Sequence, residues 1–126
     1  MEPIAVAAGT SLVGAMASDG WPVARAEVVA FWRRARADEA DTVADDLAEL
    51  RAEVLAARQA DDPDLEQALA GIWQRRFQEL LRPDPGLSGE LRSILEQHLA
   101  PTLAPDERAE VAATVSDEKE RHDRRR

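Results

Sequence analysis

The ionisable side chains of this 126-residue chain do not combine into a catalytic or metal-binding set. The two histidines are His98, near a predicted helix end, and His122, in a charged run, and the sequence contains no cysteine. Neither histidine has a second His or a Cys at metal-ligand spacing. We therefore expect neither a metal site nor a bound cofactor.

Paired carboxylates occur at Asp38-Glu39, Asp45-Asp46 and Asp61-Asp62. Adjacent residues of a helix point about 100° apart, so these pairs do not face one substrate as a general acid and a general base. Gly9 and Gly14 lack the preceding strand and the following lysine of a phosphate-binding loop. The sequence therefore predicts a protein that is not an enzyme.

Charge is distributed unevenly along the chain, whose formal net charge is −9. Residues 21–37 carry four arginines and one glutamate, whereas residues 38–66 carry eleven acidic residues and two arginines, Arg51 and Arg58. The basic runs at Arg75-Arg76 and 124–126 are short. An acidic chain without an extended basic face is not expected to bind nucleic acid.

The segment of residues 3–18, which precedes these charged stretches, contains no charged residue. Its small residues alternate with larger apolar ones, a composition that suits a helix packed tightly against other helices or inserted into lipid. As a helix it would be about 24 Å long, shorter than the hydrocarbon layer of roughly 30 Å. Glu2 and the absence of Lys or Arg before the segment argue against a secretory signal.

A tryptophan and then several arginines follow the uncharged segment, which is the order found at membrane interfaces. The predicted membrane-binding residues are Ile4, Val6, Leu12, Val13, Met16, Trp21, Arg25, Arg33 and Arg34. A helix buried at the centre of a bundle would have the same apolar composition. Both interpretations hold if the helix is buried at rest and released on activation.

The abundance of helix-forming residues, with 4% aromatics, predicts an all-α fold. Six helical segments are expected, near residues 3–18, 22–36, 42–60, 63–82, 88–99 and 105–116. They form a four- to five-helix bundle over residues 1–115, followed by a charged, disordered tail over 116–126. The charged run 36–41 is either a joint between the second and third segments or part of one unbroken helix.

The third segment has apolar residues at spacings of four, three, four and three, namely Val43, Leu47, Leu50, Val54 and Ala57. Two heptads are too few for a free-standing coiled coil, so this pattern predicts one helix of the bundle. The predicted core contains Leu47, Leu50, Leu69, Ile72, Trp73, Leu91 and Ile94.

The segments Ile4–Trp21, Phe31–Arg34, Ala68–Phe77 and Glu90–Leu95 together resemble the bacterial Bell domain, and the resemblance extends over roughly residues 4–103. It implies a small helical domain with an apolar Gly/Ala-rich first helix, which acts in bacterial immunity or regulated cell death by perturbing membranes.

The resemblance also implies partners. The expected partners are a receptor NTPase or an amyloid-motif protein, and an anionic membrane on activation, with an oligomeric state left open. Because the chain has no cysteine, the expected location is by default cytoplasmic, with membrane association when activated. Residues 117–126 are charged and free of glycine, so the amyloid relay of that family is not carried over. The alternative is a soluble helical adaptor that docks a protein partner through the Val43–Val54 seam or the stripe around Trp73.

Overall fold

The computed structural model describes the backbone of residues 2–124 and the side chains of residues 2–116. Every regular element in that range is helical, which confirms the all-α prediction. The helices are α1 (Pro3–Ala15), α2 (Trp21–Ala35), α3 (Ala40–Gln59), α4 (Pro63–Leu81), α5 (Leu87–Ile94) and α6 (Pro105–Arg124). The six helices correspond to the six predicted segments, whereas the bundle was expected to contain four or five helices. The predicted tail begins at residue 116, and the side chains of residues 117–126 lie outside the described residues.

Short irregular helices complete the chain. A 3₁₀ turn (Ala37–Glu39) precedes α3, and a π turn (Leu95–Leu99) and a second 3₁₀ turn (Ala100–Thr102) link α5 to α6. Arg36 has φ −147° and ψ 84°, which breaks the helix between α2 and α3. The joint predicted over 36–41 is therefore present, and the unbroken-helix alternative is wrong.

The first helix lies at the centre of the bundle. α1 packs along α4 and also contacts α5, α6 and the turns over residues 95–102, while α2 packs on α3 and α5. Because α1 has neighbours on several sides, it must be apolar around most of its circumference. The central position of α1 therefore explains why residues 3–15 carry no charge.

The α3–α4 turn shows how local sequence sets these boundaries. Asp61 has a left-handed backbone (φ 53°). The amides of Asp61 and Asp62 donate to the carbonyls of Arg58 (3.1 Å) and Ala57 (2.9 Å), which closes α3 with a Schellman motif. Asp62 then accepts a hydrogen bond from the amide of Leu65 (3.1 Å) and caps α4, with Pro63 at its first position.

The predicted core is confirmed except at one residue. Leu47, Leu50, Leu69, Trp73, Leu91 and Ile94 are buried, as are the other apolar residues of the α3 seam. Ile72 was predicted to be buried but is 57% exposed. The apolar stripe of α4 is wider than the surface that its neighbours cover, and Ile72 lies about 100° around the helix from the buried Trp73.

Candidate functional site

The predicted membrane-binding residues of the uncharged segment lie in the core. Ile4, Leu12 and Met16 are fully buried, and Val13 and Trp21 are nearly so, whereas Val6 is 38% exposed. The structure thus shows α1 enclosed by the bundle, and the apolar surface predicted to meet lipid faces other helices in this conformation.

Small residues allow α1 to approach α4 closely. A Cβ atom placed on Gly9 would lie 2.6 Å from the backbone nitrogen of Gln74, which is closer than side chains tolerate. Gln74 Nε2 donates to Thr10 Oγ1 over 2.9 Å, and Gln78 Oε1 accepts from the backbone nitrogen of Glu2 over 2.6 Å. These contacts fix the register of α1 on α4 at its middle and at its N-terminal end.

The C-terminal end of α1 is held by arginines of α3. Arg51 Nε donates to the carbonyl of Met16 (3.1 Å), and Arg58 Nη2 donates to the carbonyl of Val13 (3.4 Å). Arg58 Nε also pairs with Glu66 Oε1 of α4 (2.8 Å). Carbonyls in the last turn of a helix lack their usual amide donors four residues ahead. Here the Met16 amide donates to the Val13 carbonyl over 3.3 Å, and the arginines of α3 add charged donors from another helix.

One polar side chain of α1 is buried without a hydrogen-bond partner. Among the described residues, Ser11 is fully buried, and its Oγ has no hydrogen-bond partner. A buried hydroxyl that has lost its hydrogen bonds to water destabilises the folded state. The bundle therefore holds α1 less firmly than its apolar area alone would suggest.

The predicted basic residues lie on the outer side of α2. Arg25, Arg33 and Arg34 line a shallow groove together with the small apolar residues Ala26, Val29, Ala30 and Ala44. Arg33 pairs with Asp41 at 3.1 Å, Arg34 pairs with Glu90, and Arg25 Nη2 donates to the carbonyl of Ala44 at 3.3 Å. The Arg33 and Arg34 side chains remain about half exposed, at 55% and 52%. These two side chains are thus exposed to solvent while each is paired with a carboxylate.

An aromatic cluster joins α2 to α4. The rings of Trp32, Trp73 and Phe77 pack at centroid distances between 5.4 and 6.5 Å. The guanidinium of Arg76 lies 4.3 Å from the ring centroid of Trp73 and pairs with Asp46 of α3 at 2.9 Å. Trp73 is therefore a core residue, as its place in an apolar stripe predicted.

Glu39 lies at the edge of this cluster. Arg36 Nη1 donates to Glu39 Oε2 over 3.1 Å, and Trp32 Nε1 donates to Glu39 Oε1 over 3.4 Å. The hydrogen bond from Arg36 is the main reason that the pKa of Glu39 is lowered from its ordinary value, although partial burial opposes the change. This carboxylate fastens the joint between α2 and α3.

The described side chains contain no group of three or more His, Asp or Glu residues placed to hold a metal ion. His98 Nε2 lies 3.9 Å from Glu27 Oε2 at the surface, and His122 lies outside the residues whose side chains are described. Over the same range, none of the helices combines the length and the apolar character needed to cross a bilayer.

Sequence reasoning missed two features. Leu65 and Ile72 of α4 are 44% and 57% exposed, because the helix buries a neighbouring face. The roles of Arg51 and Arg58 were also missed, although both stood out as the cations of the acidic stretch 38–66. Their charge was visible in the sequence, but the position of the α1 carbonyls was not.

Comparisons with protein-family models, with curated proteins and with solved structures find no significant match for this chain. The resemblance to the Bell domain therefore stays a prediction, and the function has to be argued from the bundle itself.

Proposed function

We propose that the protein is a non-enzymatic effector that acts on membranes in bacterial immunity or regulated cell death. Its α1 is enclosed by the bundle at rest and contacts an anionic membrane on activation. The observation that carries the proposal is that, of the six helices in the described range, α1 alone has no charged residue. A helix of this composition suits a bilayer as well as a protein core.

The composition of α1 keeps the cost of such an exchange of surroundings low. Each large apolar side chain, such as Ile4, Leu12 or Met16, gains about 1.5–3 kcal/mol on leaving water. Lipid offers a similar gain to the protein core, so transfer between the two costs little for these side chains. A charged residue at the bilayer centre would cost about 2.5–3.5 kcal/mol, and α1 contains none.

The connection from α1 to α2 and the basic side of α2 suit the same function. Residues 16–20 link the two helices and include Gly20, whose backbone is less restricted than that of other residues. Basic side chains near an anionic membrane contribute about 1 kcal/mol each. Arg33 and Arg34 would thus hold α2 at the surface while α1 inserts.

The setting and partners follow from the same proposal. The protein would be cytoplasmic at rest, where the inner membrane presents its anionic lipids, and membrane-associated after activation. Activation would come from a protein partner such as a receptor NTPase, with or without oligomerisation. An α1 of 13 residues, about 20 Å long, would perturb one leaflet rather than span both.

Vesicle flotation tests the proposal. The protein is mixed with phosphatidylcholine vesicles that contain or lack phosphatidylglycerol, in buffer alone and in urea below the unfolding transition. We expect binding to the anionic vesicles that increases when mild urea loosens α1. Absence of binding under both conditions would show that α1 is simply a core helix.

A pair of surface variants controls for charge. Arg33→Gln combined with Arg34→Gln should reduce binding to anionic vesicles several-fold, because it removes two exposed cations of α2. The control is Arg75→Gln, an exposed arginine on α4. Equal loss of binding in the control and in the double variant would contradict a specific role for the α2 surface.

A soluble adaptor is the second candidate, and the exposure of Leu65 and Ile72 favours it. These residues are seven apart on α4, so they lie on one side of the helix. The Val43–Val54 seam and Trp73 are buried, so a partner would use this outer side of α4 instead. Under this candidate, any growth arrest caused by overexpression of the protein is independent of vesicle binding and is abolished by Leu65→Ser with Ile72→Ser.

A further inference from the structure

The two basic side chains in the most acidic part of the chain both contact the C-terminal end of α1. Among residues 38–66, only Arg51 and Arg58 are basic, against eleven acidic residues. Both donate to backbone carbonyls at the C-terminal end of α1, Arg51 to Met16 and Arg58 to Val13. Their separation of seven residues places both side chains on the same side of α3.

The two arginines bring charged donors to the C-terminal end of α1. The last carbonyls of a helix carry its negative partial charge and lack intrahelical partners. α1 has no basic residue in its own last turn, and the donors that follow it in the chain are neutral. The Met16 amide donates to the Val13 carbonyl at 3.3 Å, and the Ser18 amide and Oγ donate to the Ala15 carbonyl at 3.0 and 2.7 Å. The two guanidinium groups therefore supply positive charge at the point where the helix itself supplies none.

We infer that Arg51 and Arg58 form a latch that keeps the C-terminal end of α1 in the bundle, so that loss of these contacts frees that end first. A role of the latch in controlling the release of α1 to a membrane rests on the proposed function. The 2.8 Å pair between Arg58 and Glu66 of α4 ties the latch to a second helix. Contacts of Gln74 and Gln78 hold the middle and the other end of α1.

Amide hydrogen exchange measured on the full chain tests the latch. In Arg51→Ala with Arg58→Ala, exchange over residues 12–15 of α1 should accelerate about ten-fold or more, because two hydrogen bonds from charged donors are lost. Exchange in the middle of α4, around Trp73, should change much less. The single variants repeat the test if the double variant does not fold.

The control variants separate the latch from a general loss of stability. Arg51→Lys with Arg58→Lys keeps the charge and should recover part of the protection of α1, whereas Arg75→Ala should leave it unchanged. Unchanged exchange in α1, or equal acceleration in α1 and α4, overturns the latch. Faster exchange in α1 without any gain in vesicle binding would leave the latch standing and reject the membrane function.

Discussion

Gly9 of α1 lies directly against the backbone of Gln74 in α4, so that a Cβ atom at position 9 would come within 2.6 Å of the Gln74 nitrogen. The contact is between two main chains, and no side-chain rotation relieves it. It sets the distance between the central helix and its principal neighbour. The central position of α1 therefore depends on a residue without a side chain.

Gly9→Ala should lower the free energy of unfolding by more than about 2 kcal/mol, because one helix must move away from the other. Gly71→Ala is the matched control, since a Cβ there would meet nothing within 4 Å. That change should stabilise the protein by about 0.5–1 kcal/mol through helix propensity. Urea unfolding followed by tryptophan fluorescence measures both, and equal effects would contradict the close α1–α4 contact.

Ser11→Ala should raise the free energy of unfolding by about 1 kcal/mol or more, because it removes a buried hydroxyl without a partner. Ser18→Ala provides the opposite case. The Ser18 hydroxyl donates to the Ala15 carbonyl over 2.7 Å, so its removal should destabilise the protein by about 0.5–1.5 kcal/mol. Thermal unfolding compares the two variants, and destabilisation by Ser11→Ala would show that its hydroxyl is satisfied.

Leu69→Ala should cost about 2–5 kcal/mol, because the side chain is 6% exposed and its loss leaves a cavity. Ile72→Ala, three residues further along α4, should change stability by no more than about 0.5 kcal/mol. Chemical denaturation of the two variants measures this contrast. A large loss at Ile72 would restore the original prediction that it belongs to the core.

Much of the fold followed from the sequence because its helix signals are local. Pro63 after Asp62 marked the start of α4, and the spacing of Val43, Leu47 and Leu50 marked the buried side of α3. Ile72 could not be placed from the sequence, since the width of an apolar stripe does not reveal how much of it the neighbours cover. The same limit applied to the candidate site, because a helix that is apolar on every side fits either lipid or a bundle.

Protonation of Glu39 should weaken the α2–α3 joint. The folded-state pKa of Glu39 is lowered, so its contribution to stability is present above its ordinary pKa of 4.5 and is lost as pH falls through the lower folded value. Glu39→Gln should therefore be less stable than the parent chain at pH 7, and the difference should shrink below about pH 4.5. Unfolding curves at pH 7 and pH 3 measure it, with Glu49→Gln as an exposed control; a constant difference would contradict this role.

A reversible cross-link between α1 and α4 tests the central claim most directly, and the absence of native cysteine makes it possible. Thr10 and Gln74 lie beside the close backbone approach at Gly9 and are joined by a hydrogen bond of 2.9 Å, so Thr10→Cys with Gln74→Cys places one thiol on each side of the α1–α4 contact. Thiol titration establishes that the disulfide has formed, and flotation with anionic vesicles follows under oxidising and reducing conditions. If α1 must leave the bundle to act, the reduced protein binds vesicles and the oxidised protein does not. Equal binding by the two forms would contradict the release of α1.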